Sequence, residues 1–326
     1  MKLGILGTGM IVRDLLTTIH KLHLESLAIL GTEQTRDETL ELAAANNIES
    51  VFFDYETMLE SDVDTIYIAL PNHLHFSFAS QALSKGKHVI IEKPITSNTR
   101  ELNELKSLAE EKQLIILEAM NIHYLPAYLS LKENIATLGN LKLVTLNYSQ
   151  YSSRYDSFMS GVIHPAFDYR KTGGALMDIN VYNIHFVVGL FGRPLTVNYY
   201  ANIQRKIDTS GVMILDYGSL TCVCIGAKDC RAPTTSVLQG DKASAHIHIP
   251  VNQMQGYDIV LNDGNSENFN FDDRRHRLLH EFQEFIRIID SRDYLSAQQM
   301  LEISSIVAEV METGRKQQHV EFTNDR

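Results

Sequence analysis

Lys2-Leu3-Gly4-Ile5-Leu6-Gly7-Thr8-Gly9-Met10-Ile11-Val12 is an apolar run that breaks on two glycines and resumes at helical spacing. A strand that turns through glycine into a helix is the context a dinucleotide fingerprint requires. Glycine permits the tight turn and lets the backbone approach a ligand, and the first turn of the helix then offers unpaired N–H groups to a pyrophosphate. Gly7, Thr8, Gly9, Met10 and Ile11 are therefore candidate cofactor contacts. The third fingerprint position holds Val12 where Gly or Ala is usual, and a plain glycine-rich turn is the other reading of these residues.

From this turn outward, strand-length apolar runs alternate with longer segments of helical period. The predicted strands are Lys2–Leu6, Leu27–Leu30, Thr65–Ala69, His88–Ile91 and Leu114–Leu117, and the helices are Ile11–Leu22, Asp37–Asn46, Leu74–Lys85 and Thr99–Lys112. Such alternation builds βαβ units on a parallel, doubly wound sheet. After Pro126 one more helix runs to about Leu138, and strand-like stretches then follow one another at Leu141–Tyr151, Leu195–Ile203, Val212–Leu215, Ser219–Ile225, Ala243–Ile249 and Tyr257–Leu261. Strands without intervening helices form antiparallel sheets. Two helices, roughly Arg274–Ile289 and Ala297–Thr313, close the chain. At 326 residues the chain exceeds what one core usually serves. The predicted fold is α/β: an N-terminal Rossmann domain over 1–120 and a C-terminal α+β domain over 121–326 on an open, mostly antiparallel sheet.

Apolar residues make up 44% and charged residues 21%, the balance of a globular protein. A net charge of -11 without long single-sign blocks disfavours nucleic acid as a partner. The N-terminal run lacks the h-region of a signal peptide and no uninterrupted apolar stretch reaches membrane-span length, so the expectation is a cytoplasmic protein with no membrane partner. Cys222 and Cys224 alternate within a strand-like run and, with Cys230, form no disulfide framework. They read as packing residues, and no metal site is expected.

Three further loops would reach the edge of the sheet where the glycine turn lies. After the second strand, Gly31-Thr32-Glu33-Gln34-Thr35-Arg36 offers Glu33 for the ribose of NAD, or Thr32 with Arg36 for the 2'-phosphate of NADP, and the residues leave the choice open. After the third, Pro71, Asn72 and His75 open a helix; Asn72 alone would read as a cap. The run Gly86-Lys87-His88-Val89-Ile90-Ile91-Glu92-Lys93-Pro94 ends an apolar strand on an amine held extended by the following proline. That amine makes Lys93 the first catalytic candidate. Far along the chain, Gly173-Gly174-Ala175-Leu176-Met177-Asp178-Ile179-Asn180-Val181-Tyr182 places Asp178 and Tyr182 four apart, on one face if helical. An unperturbed phenol is a poor base at neutral pH, and a nearby ammonium lowers its pKa.

Taken together, the order of Gly7-x-Gly9, Pro71-Asn72-x-x-His75, Gly86-Lys87-His88-Val89, Glu92-Lys93-Pro94, Glu118-Ala119 and Gly173-Gly174-Ala175-Leu176-Met177-Asp178 resembles the Gfo/Idh/MocA family. The resemblance implies NAD- or NADP-dependent hydride transfer to or from a carbinol of a sugar, polyol or related alcohol, in a crevice between two domains. It implies a catalytic Lys93 beside the nicotinamide ribose, with Glu92 next to it at the cofactor, Asp178 opening the active-site helix and orienting the amine, and Tyr182 where inositol-dehydrogenase-like members carry histidine. Asn121 and His123 stand at substrate-contacting positions, with Lys93 and Tyr182, where many relatives have an apolar residue and an arginine. Tyr182 or Lys93 moves the proton. A dihydrodiol, dicarbonyl or imine-like substrate is the second enzymatic reading, and a non-catalytic NAD(P)-binding regulator the third. The uncovered sheet face expected of the second domain, paired in many family members, implies a homodimer or homotetramer.

Overall fold

The computed structural model describes residues 1–271 and 275–325. The chain forms two compact units, the first of Met1–Ala119 with His276–Glu302, the second of Met120–Arg275 with Ile303–Arg326. The expected second domain, 121–326, thus included His276–Glu302, which returns to the first unit. The expected start of the penultimate helix at Arg274 lies outside the described residues.

Unit 1 holds a parallel sheet of β1 (Lys2–Leu6), β2 (Ser26–Leu30), β3 (Ser50–Phe52), β4 (Thr65–Ile68), β5 (His88–Glu92) and β6 (Ile116–Ala119) in the order β3-β2-β1-β4-β5-β6. Between the strands run α1 (Met10–Leu16), α2 (Arg36–Ala45), α3 (Tyr55–Glu60), α4 (His75–Ser84) and α5 (Thr99–Lys112). Strand order reverses between β1 and β4, and in open parallel sheets ligands bind at such a point, beyond the carboxyl ends of the strands. The central strands are buried throughout, Ile5, Ile66, Ile68, Val89, Ile90 and Leu117 having no exposed surface, as expected of a sheet covered on both faces.

The first unit is completed by α9 (Arg277–Asp290), which belongs with this sheet. Its apolar face, Leu278, Phe282, Phe285 and Ile289, is buried, and the Phe282 ring meets Tyr67 of β4 edge-on at 5.1 Å. Asp14 of α1 anchors its start, accepting from His276 Nε2 at 2.9 Å and Arg277 Nη2 at 2.7 Å.

Unit 2 is built on an eight-stranded sheet. Its strands are β7 (Leu141–Ser149), β8 (Thr196–Gln204), β9 (Ile207–Asp216), β10 (Thr221–Ala227), β11 (Ser236–Gly240), β12 (Ala243–Ile247), β13 (Gly256–Leu261) and β14 (Ser266–Asn270). The order is β14-β13-β12-β11-β7-β10-β9-β8, antiparallel except for β7 with β10. One face carries the core, with Val144, Leu146, Met213, Leu215, Cys222 and Cys224 alternating inward at the strand period of two. Helices α6 (Pro126–Asn134), α7 (Tyr155–Met159) and α8 (Val181–Phe191) lie in this unit, and α8 packs on β7 and β10. The last helix, α10 (Tyr294–Gln317), begins in unit 1 and ends in unit 2. The helical run Tyr169–Phe191 is apolar and long enough to span a membrane by composition, yet most of it is buried in the core of unit 2.

Candidate active site

In unit 1 the predicted cofactor residues gather at the carboxyl ends of β1, β2, β4 and β5. Gly7 has φ +103, and a Cβ there would lie 2.9 Å from the carbonyl of Ala69, so only glycine takes this turn without strain. A Cβ on Gly9 would meet nothing within 4 Å, which leaves open space over the start of α1, and no side chain caps that helix. Open space beside uncapped N–H groups fits a pyrophosphate. Met10 is 76% exposed there, while Val12, in place of the usual small residue, points inward and is fully buried.

Beyond β2, Thr32 and Thr35 form a reciprocal capping box, and Arg36 donates to both carboxylate oxygens of Glu33, at 2.9 and 2.7 Å. Its guanidinium carbon lies 3.8 Å from the centre of the Phe53 ring. The Arg36 hydrogen bonds hold the Glu33 carboxyl below its ordinary pKa. Asn72 lies in the half-buried 3-10 turn that follows Pro71. His75 has no exposed surface; its Nδ1 is 3.0 Å from the carbonyl of Pro94 and its Nε2 is 2.8 Å from that of Leu70. Two carbonyl partners suit a protonated ring, but burial outweighs them and lowers its pKa. His75 thus ties the loop after β4 to the loop after β5.

Lys93 follows the last residue of β5, and its bond to Pro94 is cis. Glu92 accepts from the Tyr67 hydroxyl at 2.6 Å and from the backbone N–H of Lys93 at 3.3 Å. Burial raises the Glu92 pKa, against the pull of that phenol and of the Lys93 charge. Glu118, of the Glu118-Ala119 pair, accepts from the N–H of Ile95 at 3.0 Å and so fixes the same loop.

Unit 2 holds Asp178 and Tyr182 on one continuous turn of chain, but not on a regular α-helix. Leu176–Asn180 is a π-helical turn leading into α8, a distortion often found at functional sites. Buried Asp208 of β9 sets its start, accepting from the N–H of Leu176 at 2.6 Å and the hydroxyl of Tyr199 at 2.9 Å. Gly174, at φ +109, is required because a Cβ would stand 2.1 Å from Asp208 Oδ1. Asn180 and Asn183 then donate to the carbonyls of Cys224 and Ile225, both at 3.0 Å, and lock the turn to β10. The Tyr182 ring lies 6.1 Å from that of Tyr148. The structure places the amine of Lys228, just past β10, 2.5 Å from Asp178 Oδ2. Sequence reasoning missed Lys228, although a lysine at the end of an apolar strand is the same cue that singled out Lys93.

Asn121 and His123, expected at the substrate, are 3% and 8% exposed. Asn121 donates to the carbonyl of Asn252 at 2.7 Å, and His123 Nε2 is 3.1 Å from His185 Nδ1. Burial, with His185 and Lys132 adding to it, pushes the His123 pKa well below its ordinary value.

A Rossmann sheet with a glycine turn in one unit, and an aspartate and a tyrosine on one distorted turn in the other, are the features of a nucleotide-dependent oxidoreductase. Residues 1–120 match the model of the Gfo/Idh/MocA oxidoreductase family, NAD-binding Rossmann fold. The chain is 35% identical over 289 residues, 88% of each chain, to a scyllo-inositol 2-dehydrogenase (NADP(+)) of Bacillus subtilis. It is 26% identical over 261 residues to the trans-1,2-dihydrobenzene-1,2-diol dehydrogenase of mouse, covering 76% of this chain and 74% of the other. A 3-ketoreductase from Actinomadura kijaniata, solved with NADP and TDP-benzene, shares the fold with a TM-score of 0.82 at 20% identity, 97% of each chain being covered. The chain belongs to the Gfo/Idh/MocA family and is an NAD(P)-dependent oxidoreductase acting on CH–OH groups.

Proposed function

We propose that this chain oxidises, reversibly, one carbinol of a cyclic polyol of the inositol class, with NADP as its dinucleotide. The observation that carries the reading is the scyllo-inositol dehydrogenase relative, 35% identical across 88% of both chains. Lys93, Asp178 and Tyr182 stand here as the ionisable groups such a reaction uses. Arg36 supports NADP: a planar guanidinium lying on Phe53 suits a phosphate, while both oxygens of Glu33 are already committed to Arg36 instead of a ribose hydroxyl.

A bound nicotinamide supplies the hydride acceptor. The protein has to orient the hydroxyl and take its proton. Lys93 and Tyr182 are the two groups able to do so, and general acid–base catalysis of this kind is worth about 10²–10⁴-fold. Lys93→Met should therefore lose turnover by roughly that factor with the dissociation constant for NADP little changed, and comparison with Tyr182→Phe apportions the proton step. The direct test is absorbance of reduced cofactor with a panel of inositols under NADP+ and NAD+. No turnover with any inositol would refute the reading. Dihydrodiols belong in the same panel, because a dihydrodiol dehydrogenase is also among the relatives and its activity is the second reading.

The chain also works, in this reading, as a homo-oligomer in the cytoplasm. The face of the eight-stranded sheet opposite its core presents Val212, Ile214, Val223 and Ile225, half-buried neighbours in register, beside Tyr200 at 62% exposure. A second copy is the occupant this face suits. Light scattering that gives a monomer at micromolar concentration would refute the assembly. Unpaired thiols at Cys222, Cys224 and Cys230 suit a reducing compartment.

A further inference from the structure

Lys228 is 2% exposed, which is rare for a lysine and calls for a partner. Its amine lies 2.5 Å from Asp178 Oδ2, donates to the carbonyl of Ala166 at 2.9 Å, and sits 4.4 Å from the centre of the Phe167 ring. The carboxylate, the carbonyl and the ring face converge on one buried ammonium. Its own backbone is fixed as well, since its N–H donates to the carbonyl of Thr209 at 2.9 Å and its carbonyl accepts from Ser152, also at 2.9 Å. Asp208, which also feels the charge of Lys228, is occupied by Leu176 and Tyr199. Asp178 differs from its partner in being open: its side chain is 37% exposed against 3% for Lys228. The pair is thus anchored at the lysine end and presents its carboxylate outward.

We propose that Lys228 is a positioning residue of the hydride-transfer reaction, holding the Asp178 carboxylate in its working orientation through an ion pair buried beneath it. The inference rests on the reading of this protein as a polyol dehydrogenase. Lys228 touches no reacting atom and acts only through Asp178. A carboxylate on a π-helical turn has more than one rotamer open to it, and the buried ammonium selects one. Misplacing a reacting group by about 1 Å can cost on the order of 10²-fold in rate.

The test measures kcat, KM and NADP affinity for Lys228→Met, Lys228→Arg, Asp178→Asn and the double variant Asp178→Asn/Lys228→Met, with the polyol the parent protein oxidises. Lys228→Met should lose kcat by about 10²-fold with KM and NADP affinity within about threefold, and Lys228→Arg should recover part of the loss. In the double variant the lysine should no longer matter, leaving kcat within about threefold of Asp178→Asn alone. A parental kcat in Lys228→Met, or a second large loss on adding it to Asp178→Asn, would overturn the proposal. If Lys228→Met fails to fold, the comparison of the charge-free double variant with Asp178→Asn decides. A crystal structure of Lys228→Arg or the Met variant adds a readout independent of substrate: a displaced Asp178 carboxylate in Met and a retained one in Arg are expected, and an unmoved carboxylate in Met refutes. A parent protein inactive on every polyol sinks the substrate reading instead, and the crystallographic comparison still judges Lys228.

Discussion

Glu281→Gln should flatten the dependence of stability on pH. Glu281, on α9, is 1% exposed, and among the described residues its Oε1 has no hydrogen-bond partner. Burial, then the Glu92 carboxylate, raises its pKa well above the ordinary value, with Arg277 opposing and Glu118 adding to the rise. The sign follows from proton counting. Above the ordinary glutamate value the unfolded chain has released this proton and the folded chain keeps it, so folding takes up a proton and stability falls as pH rises. The contribution is complete below the unfolded pKa and is lost on the way up to the folded one, at about 1.4 kcal/mol for each pH unit crossed. An amide at the same position has no such slope; any cost of burying its extra N–H groups is a constant offset. Carboxylates pulled the other way, such as Asp293 with its Ser296 hydrogen bonds, tilt both proteins alike and cancel in the difference. Thermal unfolding of parent and variant in one buffer series from pH 5 to 8 should show the melting temperature of the variant rising steadily relative to that of the parent toward alkali, whatever the constant offset between them at acid pH. At about 2–4 °C per kcal/mol the separation is readily measured. Parallel curves across the series would refute the buried neutral acid.

Gly174→Ala should destabilise unit 2 by more than about 1–3 kcal/mol, since its Cβ would lie 2.1 Å from Asp208 Oδ1 on a backbone at φ +109; a urea midpoint unchanged from the parent would contradict the turn described. Asp208→Ala strips the acceptor from two buried donors, Leu176 N–H and the Tyr199 hydroxyl, at about 1–3 kcal/mol each, and should lower kcat because the turn bearing Asp178 loosens. Stability loss with parental kcat would separate Asp208 from the site. Arg36→Ala should weaken NADP at least about tenfold by fluorescence titration, the worth of one charge-assisted contact, and leave NAD unaffected. Equal effects on both dinucleotides would place the 2'-phosphate elsewhere.

The first sheet was legible because its central strands are apolar throughout and helices such as α4 and α5 keep a helical period. Lys2–Leu6 and Thr99–Lys112 came out with the bounds read from the sequence, while β6 lies two residues later than the apolar run suggested. β3 and α3 went unread: Ser50–Phe52 is three residues long and only partly buried, too short for a period to register. In unit 2, β11 and β14 were missed; β14, Ser-Glu-Asn-Phe-Asn, is an exposed edge strand with one apolar residue. The parallel pairing of β7 with β10 depends on long-range register that no local pattern carries. Among candidate site residues, Lys93 was flagged because a polar residue closing an apolar run is a local signal, yet Lys228 closes β10 in the same way and was passed over. Asp208, Tyr199 and Phe53 act through partners distant in sequence, and nothing near them marks that role.

The return of His276–Glu302 to the first unit has a practical corollary for anyone dissecting this chain. An expression fragment ending at residue 120 would contain every strand of the nucleotide sheet, yet it would forfeit the amphipathic cover that Phe282 lays on Tyr67 and the clasp that His276 and Arg277 make on Asp14. Such a fragment should precipitate or stay molten, whereas one with residues 276–302 grafted back through a short linker should be recoverable from the supernatant.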